Sequence, residues 1–136
     1  MKYTLFTDGG ARGNPGPSAI GIVLKDVDGK IIEELGETIG NATNNQAEYS
    51  ALLKGLEVAL ENKVQVIDCY LDSELVVKQL KQEYKVKDKK LAVLFVKAWN
   101  ISKSFKGITF SHVPRSQNKR ADKLVNDALD KDVGNK

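Results

Sequence analysis

Two hydrophobic periods alternate along this chain and divide it into strands and helices. Residues 2–6, 19–24 and 31–39 are runs rich in β-branched, aliphatic and aromatic side chains, which predict three strands. Asp28-Gly29, a common hairpin turn, separates the second run from the third. We therefore expect these strands to form an antiparallel meander.

From residue 44 to about residue 61, apolar residues recur at spacings of three and four, which predicts a helix. The later elements follow the same two periods: strand 64–71, helix 73–82, helix 91–99 after a lysine-rich connection at 85–90, strand 107–113 and helix 118–132. The predicted order is βββαβααβα. A chain of 136 residues without internal repeats fits a single α/β domain over residues 1–136.

Acidic residues follow two of the strands that helices separate along the chain. Helices separate the first, fourth and fifth strands, so these strands should pair in parallel through right-handed crossovers, with a site at their carboxyl ends. Asp8 follows the first strand and Asp72 follows the fourth. Adjacent strands would place these two carboxylates roughly 5 Å apart. Two carboxylates that close together raise a pKa or bind a cation.

Asp8 also opens a glycine-rich segment, residues 7–16, which holds four glycines and one proline. Such a backbone bends sharply and brings N–H groups close to whatever the carboxylate faces. Asp-Gly is equally an ordinary turn dipeptide, so Asp8 could serve only to stabilise a turn.

Two further acids point toward the same region. Glu48 shares its helix face with apolar residues, so it faces the sheet, where a buried acid needs a partner. Asp122 is turned to the inner side of the last helix by its spacing to apolar residues. Each acid has a structural alternative: Glu48 could complete a capping box with Asn45 as N-cap, Asp72 could cap the next helix, and Asp122 could favour the positive helix end. Structural roles for all four acids would explain their common placement poorly.

Composition adds few constraints. The net charge of +3 allows a polyanionic partner. Cys69 is the only cysteine, which excludes an internal disulfide and favours a reducing compartment. No apolar run approaches membrane-spanning length, and a strand that begins at residue 2 leaves no room for a signal peptide. We therefore expect a cytoplasmic monomer that needs no membrane and no protein partner.

Four segments, in order, resemble the signature segments of type 1 ribonuclease H. They are Thr-Asp-Gly-Gly with Gly-Asn-Pro-Gly at 7–16, Thr-Asn-Asn-Gln-Ala-Glu at 43–48, Leu-Asp-Ser at 71–73 and Asn-Lys-Arg-Ala-Asp at 118–122. The resemblance covers essentially the whole chain. It implies the ribonuclease H-like fold, a five-stranded mixed sheet with three antiparallel and two further parallel strands, flanked by helices.

The resemblance also implies an endonuclease that cuts the RNA strand of an RNA–DNA hybrid and leaves 5′-phosphate and 3′-hydroxyl ends. Two Mg²⁺ ions about 4 Å apart would supply positive charge at the attacking and leaving oxygens, and Mn²⁺ should substitute for them. By this resemblance Asp8 bridges both ions, Glu48 and Asp72 complete the site of one ion, and Asp122 holds the other.

Substrate contacts are implied in the same way. We expect side chains in the minor groove of the hybrid at three positions: Asn14, Asn44 and Gln46. Backbone groups of the glycine-rich segment and the side chain of Glu48 would read the 2′-hydroxyls of the RNA strand. The backbone positions are Gly9, Gly10 and Ala11, and Ser73 is a weaker candidate for substrate contact. Helix capping is the alternative role for the residues near position 44.

The chain departs from longer bacterial members of the family in two places. Their basic extra helix is missing, and the lysine-rich segment 78–90 either keeps some phosphate contact or forms a solvated face. The second difference concerns the histidine that assists product release in many members. Shorter members with Val-Pro-Arg in this place, as at 113–115 here, resemble a form in which arginine takes that position, so we expect Arg115 and not His112, the only histidine, to assist product release. Trp99 lies on an apolar helical stripe and is expected in the core.

Two other functions remain open. A related nuclease of this short form could also act on double-stranded RNA. A non-catalytic nucleic-acid-binding module of the same fold is the other alternative, and the presence of all four acids argues against it.

Overall fold

The computed structural model describes residues 2–134, which form a five-stranded mixed sheet flanked by helices. The strands are β1 (Tyr3–Ala11), β2 (Gly16–Lys25), β3 (Ile31–Ala42), β4 (Val66–Leu71) and β5 (Gly107–His112). The helices are α1 (Asn44–Glu61), α2 (Glu74–Leu80), α3 (Lys89–Ser102) and α4 (Lys119–Gly134), with a 3₁₀ turn at Arg115–Gln117. The element order predicted from the sequence is confirmed. Within residues 2–134, no helix is both long enough and apolar enough to cross a membrane.

The spatial order β3-β2-β1-β4-β5 places β1 at the centre of the sheet. β1, β2 and β3 pair antiparallel, and β1, β4 and β5 pair in parallel, as expected. Parallel pairing of β1 with β4 ends at Thr7 opposite Leu71, whereas antiparallel pairing with β2 continues to Ala11. Asp8 therefore lies inside β1, opposite Gly21. The prediction of a turn at Asp8 was wrong, because β2 keeps β1 extended beyond the end of β4.

Two cores of unequal size cover the two faces of the sheet. The larger core joins the sheet to α1, α2 and α3, and it includes Leu5, Ile22, Leu52, Ile67 and Leu91. On the other face α4 packs against β1, β2 and β3. The small buried cluster there consists of Ala19, Val125 and Leu129. The sheet is therefore buried on both sides in the region of β1 and β2.

Glycines let α4 lie directly on the sheet backbone. A Cβ atom on Gly21 would overlap the carbonyl group of Ala121, and one on Gly36 would lie 2.7 Å from the carbonyl oxygen of Leu124. Real Cβ atoms do not approach other atoms this closely, so both positions need glycine. The close approach brings the first turn of α4 beside the end of β1.

Helix α1 begins at Asn44, as predicted, but its N-cap is not the residue considered from the sequence. Thr43 is the N-cap: its side chain accepts a hydrogen bond from the backbone N–H of Gln46, and Gln46 Oε1 accepts one from the backbone N–H of Thr43. The structural alternative considered for Glu48, a capping box with Asn45 as N-cap, is therefore wrong. Glu48 lies in the second turn, with a side chain that is free for another role.

The next two helices begin at residues other than those predicted. Ser73 is the N-cap of α2, so the capping role considered for Asp72 was wrong. Asp88 accepts hydrogen bonds from the backbone N–H groups of Lys90 and Leu91, which starts α3 two residues earlier than predicted. On α3, Trp99 is only half-buried, so its prediction as a core residue holds only in part.

Candidate active site

Three carboxylates meet where β1, β4 and α1 come together. One side-chain oxygen from each of Asp8, Glu48 and Asp72 lies within 4.8 Å of the others. Asp72 follows Leu71, which pairs with Thr7, so Asp72 is level with Asp8 on the neighbouring strand. This separation agrees with the distance expected from strand spacing.

A hydrogen bond between β1 and α1 holds Glu48 in place. The backbone N–H of Gly9 donates to Glu48 Oε1 at 3.0 Å. A Cβ atom on Gly9 would overlap the backbone of Ala47, so only glycine allows α1 to lie this close to β1. The glycine-rich segment thus brings a backbone N–H to the carboxylate of Glu48.

Burial and mutual repulsion disfavour the charged forms of these acids. The pKa of Asp8 is raised, first by burial and then by the negative charge of Glu48. Burial also raises the pKa of Glu48, and the hydrogen bond from the Gly9 N–H partly opposes this rise. In the protein alone, the cluster therefore favours a bound proton or a bound cation.

Asp122 lies beside this cluster, on the first turn of α4. It is close enough to Asp8 to contribute to the raised pKa of Asp8. On its other side, Arg115 Nη2 donates to Asp122 Oδ1 at 3.3 Å. The structure thus places Asp122 next to the three acids, between Asp8 and the guanidinium of Arg115.

A cavity of about 340 Å³ contains most of the predicted site residues. Its lining includes Asp8, Gly9, Gly10, Ala11, Asn44, Glu48, Asp72, Ser73, Arg115 and Asp122. His112 is exposed at the end of β5 and is not among the lining residues, whereas Arg115 is. The geometry therefore agrees with the choice of Arg115 over His112.

Asn14 and Asn44 connect the glycine-rich segment to the start of α1. Asn44 Oδ1 accepts a hydrogen bond from the backbone N–H of Ala11 at 2.9 Å. Asn14 Oδ1 accepts one from the backbone N–H of Asn44 at 3.0 Å. Both side chains are exposed apart from these contacts, so they can present their amide N–H groups to a ligand.

A second cavity of about 640 Å³ lies next to the first and holds the remaining predicted positions, Asn14 and Gln46. Asn45 lines both cavities and so connects them. Lys89 and Lys90, at the start of α3, add two cations to the second cavity. These lysines belong to the lysine-rich segment 78–90. The other lysines of that segment are exposed, apart from Lys78, which is half-buried.

Sequence reasoning assigned no role to two residues that the structure brings to this region. Arg12, the arginine of the glycine-rich segment, lines the first cavity and pairs with Asp130 of α4 at 2.6 Å. Asn118 is buried beneath the acids, where its side-chain amide donates to Asp72 Oδ2 at 3.3 Å. The only sequence signal for Asn118 was its place at the start of the segment that ends in Asp122.

The donor set fits a divalent cation. Within residues 2–134, Glu48 Oε2 is a buried oxygen without a hydrogen-bond partner. Together with oxygens of Asp8 and Asp72 it offers the hard, negatively charged ligands that Mg²⁺ and Mn²⁺ bind. A cation there would satisfy this oxygen and relieve the repulsion among the carboxylates.

A central β1 with one antiparallel and one parallel neighbour, and with acids at the junction with α1, defines the ribonuclease H-like class of nucleases. The family model described as "Reverse transcriptase-like" matches residues 6–128. Ribonuclease HI of Halobacterium salinarum is 47% identical over 125 residues, which cover 92% of this chain and 63% of that protein. Its solved RNase H1 structure superposes with a TM-score of 0.94 at 45% identity, covering 96% of this chain and 99% of that one.

Two further similar proteins are also ribonucleases H. Ribonuclease H of Lachnoclostridium phytofermentans is 35% identical and covers 96% of this chain and 93% of its own length. LC11-RNase H1, solved in complex with an RNA/DNA hybrid, superposes with a TM-score of 0.90 at 42% identity, covering 96% of this chain and 99% of that one. The chain belongs to the type 1 ribonuclease H family. It spans less than two thirds of some relatives, including 36% of a bifunctional protein from Mycobacterium tuberculosis.

Proposed function

We propose that this protein is an endoribonuclease that hydrolyses the RNA strand of RNA–DNA hybrids. The observation that carries the proposal is the convergence of Asp8, Glu48 and Asp72 within 4.8 Å, with one buried carboxylate oxygen left unpaired. LC11-RNase H1, which shares this fold at 42% identity, binds such a hybrid in its solved complex. A metal-binding acid cluster in an open cavity suits hydrolysis of a phosphodiester better than simple binding.

The acids would hold two divalent cations. Asp8, at the centre, would bind both, Glu48 and Asp72 would complete the site of one, and Asp122 would hold the other. When bound, Mg²⁺ or Mn²⁺ would neutralise charge on the scissile phosphate and activate a water molecule. Gly9 fixes the direction of Glu48 through its N–H, so this ligand is oriented before any cation binds. Hydrolysis in this arrangement would leave 5′-phosphate and 3′-hydroxyl ends.

The hybrid would lie across the two adjoining cavities. Asn14 and Asn44 are tied to the backbone of the glycine-rich segment and expose their amides, so they are suited to the minor groove. The backbone from Gly9 to Ala11 borders the acid cluster, where 2′-hydroxyls of the RNA strand would lie. Gln46 uses one amide atom for capping and lines the second cavity with Lys89, where the backbone phosphates would pass.

Arg115 would be the auxiliary residue. It lines the cavity, and its guanidinium pairs with Asp122, the proposed ligand of one cation. Its side chain is 77% exposed, so it can turn from Asp122 to a product phosphate. Ser73 caps α2 and borders the cavity, which makes its capping role the better supported one. We further propose that the protein acts as a cytoplasmic monomer, with Cys69 buried as a free thiol.

Cleavage of labelled RNA–DNA, RNA–RNA and DNA–DNA duplexes tests this function. The protein should cut only the RNA strand of the hybrid, lose activity in chelator and regain it with Mg²⁺ or Mn²⁺. Asp8→Asn should abolish cutting. Asp68→Asn is the matched control. Asp68 lies on β4, four residues before Asp72, but it accepts a hydrogen bond from Thr109 and does not line the cavity.

The outcomes separate the alternatives. Equal cutting of RNA–RNA would establish the broader nuclease in place of hybrid specificity. Tight hybrid binding without cutting at any Mg²⁺ concentration would establish the non-catalytic module. Full activity in chelator would exclude the proposed use of the four acids.

A further inference from the structure

Asn118 occupies a buried position beneath the acid cluster. It directly precedes α4, and only 2% of its surface is exposed. Its side-chain Nδ2 donates two hydrogen bonds, one to the backbone carbonyl of Thr7 at 2.8 Å and one to Asp72 Oδ2 at 3.3 Å. The sequence places Thr7 and Asp72 far from Asn118, so both contacts form only in the folded protein.

These contacts join the elements that carry three of the acids. Parallel pairing of β1 with β4 ends at Thr7, and the Thr7 carbonyl, which immediately precedes Asp8, accepts from Asn118. Asp72 accepts from the same amide group. The backbone carbonyl of Asn118 accepts from the N–H of Asp122 at 3.0 Å, in the first turn of α4. One residue therefore sets the relative position of β1, Asp72 and the first turn of α4.

Helix capping does not account for this side chain. An asparagine that caps a helix uses its Oδ1 to accept a backbone N–H from the first turn. In the part of the chain that the structure describes, Asn118 Oδ1 is buried and accepts no hydrogen bond. The Nδ2 atom of this amide instead faces β1 and Asp72, to which it donates.

We propose that Asn118 is a positioning residue that holds Asp72 in the orientation needed to bind a divalent cation with Asp8. This inference rests on the proposed function, because it assigns Asn118 a part in the same site. Asp72 and Asp8 repel each other when both are charged, so Asp72 would otherwise rotate away. A neutral donor that bonds Asp72 Oδ2 opposes this rotation without competing for the cation. Hydrogen bonds to metal-ligating carboxylates have this effect in other metal sites.

The test compares Asn118→Ala and Asn118→Ser with the wild-type protein. Alanine removes both hydrogen bonds, whereas the serine hydroxyl can keep one donor for either acceptor. Asn100→Ala is the matched control, since Asn100 is exposed on α3 and lies outside both cavities. Binding of Mg²⁺ to the free protein is measured by calorimetry, hybrid cleavage by kcat and KM, and folding by thermal unfolding in chelator.

We expect Asn118→Ala to weaken Mg²⁺ binding by about tenfold, with a smaller loss for Asn118→Ser and none for Asn100→Ala. The kcat at low Mg²⁺ should fall by a similar factor, and KM for the hybrid should stay within about twofold. High Mg²⁺ should restore much of the lost rate. A purely structural role would lower the melting temperature without changing the Mg²⁺ dependence of the folded protein.

Unchanged Mg²⁺ affinity in both Asn118 variants would overturn the inference while leaving the nuclease function intact. If Asn118→Ala does not fold, Asn118→Ser decides by the same measurement. A wild-type protein that cuts no hybrid would reject the proposed function, and weaker Mg²⁺ binding in the Asn118 variants would still support the positioning role.

Discussion

The backbone N–H of Gly9 donates to Glu48 Oε1 at 3.0 Å and so joins the central strand to the first helix at the acid cluster. The contact depends on the missing side chain of Gly9, since a Cβ there would overlap the backbone of Ala47. Stability and the direction of a proposed metal ligand therefore depend on the same residue.

Gly9→Ala should destabilise the protein and impair hybrid cleavage together. The added methyl group must push α1 away from β1, which lengthens the bond to Glu48, and overpacking of this kind costs about 1–3 kcal/mol. Gly107→Ala is the control, because a Cβ on Gly107 would lie 3.5 Å from Val66 Cγ1, an ordinary contact. Denaturant unfolding and cleavage assays measure both effects. Equal stability of the two variants would contradict the close approach of α1.

The metal-free protein should lose stability as the pH rises. The pKa values of Asp8 and Glu48 are raised from 3.8 and 4.5, so the folded state binds protons that the unfolded state has released. The protons on Asp8 and Glu48 contribute their full stabilisation below the ordinary pKa values of these groups. This stabilisation is lost as the pH rises through the raised pKa values of the folded state. Thermal unfolding in chelator between about pH 5 and about pH 8 measures this slope.

Asp8→Asn should flatten that slope, because the amide does not titrate and relieves the repulsion with Glu48. At neutral pH we expect the metal-free variant to be more stable than wild type by about 1 kcal/mol or more, although it should not cut the hybrid. Mg²⁺ should stabilise the wild-type protein and leave the variant nearly unchanged. A wild-type slope that persists in Asp8→Asn would place the titrating groups elsewhere.

Arg115→Ala should slow hybrid cleavage more than His112→Ala. Arg115 lines the cavity and contacts Asp122, whereas His112 is exposed at the end of β5. We expect kcat to fall by about tenfold in the first variant and by less than about twofold in the second. Steady-state rates at saturating Mg²⁺ measure the loss of kcat in each variant. Equal losses, or a larger loss for His112→Ala, would reject the assignment.

Lys89 and Lys90 should contribute to hybrid affinity through phosphate contacts. Their joint replacement by alanine should raise KM with little change in kcat and should reduce the salt dependence of binding by about one unit of slope per lost contact. Lys106→Ala is the control, because Lys106 lies before β5, at the opposite end of the parallel strands. An unchanged salt slope would show that the lysine-rich segment is only a solvated face.

The order of elements and the parallel pairing could be predicted from the pattern of strands and helices, whereas the placement of the strands within the sheet came from the resemblance to type 1 ribonuclease H. Helices between the first, fourth and fifth strands leave parallel pairing as the natural solution. That pairing alone brings Asp8 and Asp72 to the same end of the sheet, and the inward face of α1 then adds Glu48. Short-range patterns therefore indicated the acids, and the resemblance supplied their roles and the substrate contacts.

Long-range contacts decided the features that the sequence could not predict. The glycine-rich run after Asp8 has the composition of a turn, yet pairing with β2 keeps it extended to Ala11. Thr43, Asn44 and Asn45 could each cap α1, and Thr43 does so while the Asn44 side chain bonds the Ala11 N–H. The contacts of Asn118 likewise depend on residues distant along the chain.

The bare backbone beneath α4 restricts which residues the chain can accept at two positions of the sheet. Any substitution at Gly21 or Gly36 must lift the helix, and Asp122 would be carried away with it. Those two positions lie outside the acid cluster, so a survey that ranks residues by proximity to the reaction would miss them. Selection for catalysis should nevertheless keep both as glycine.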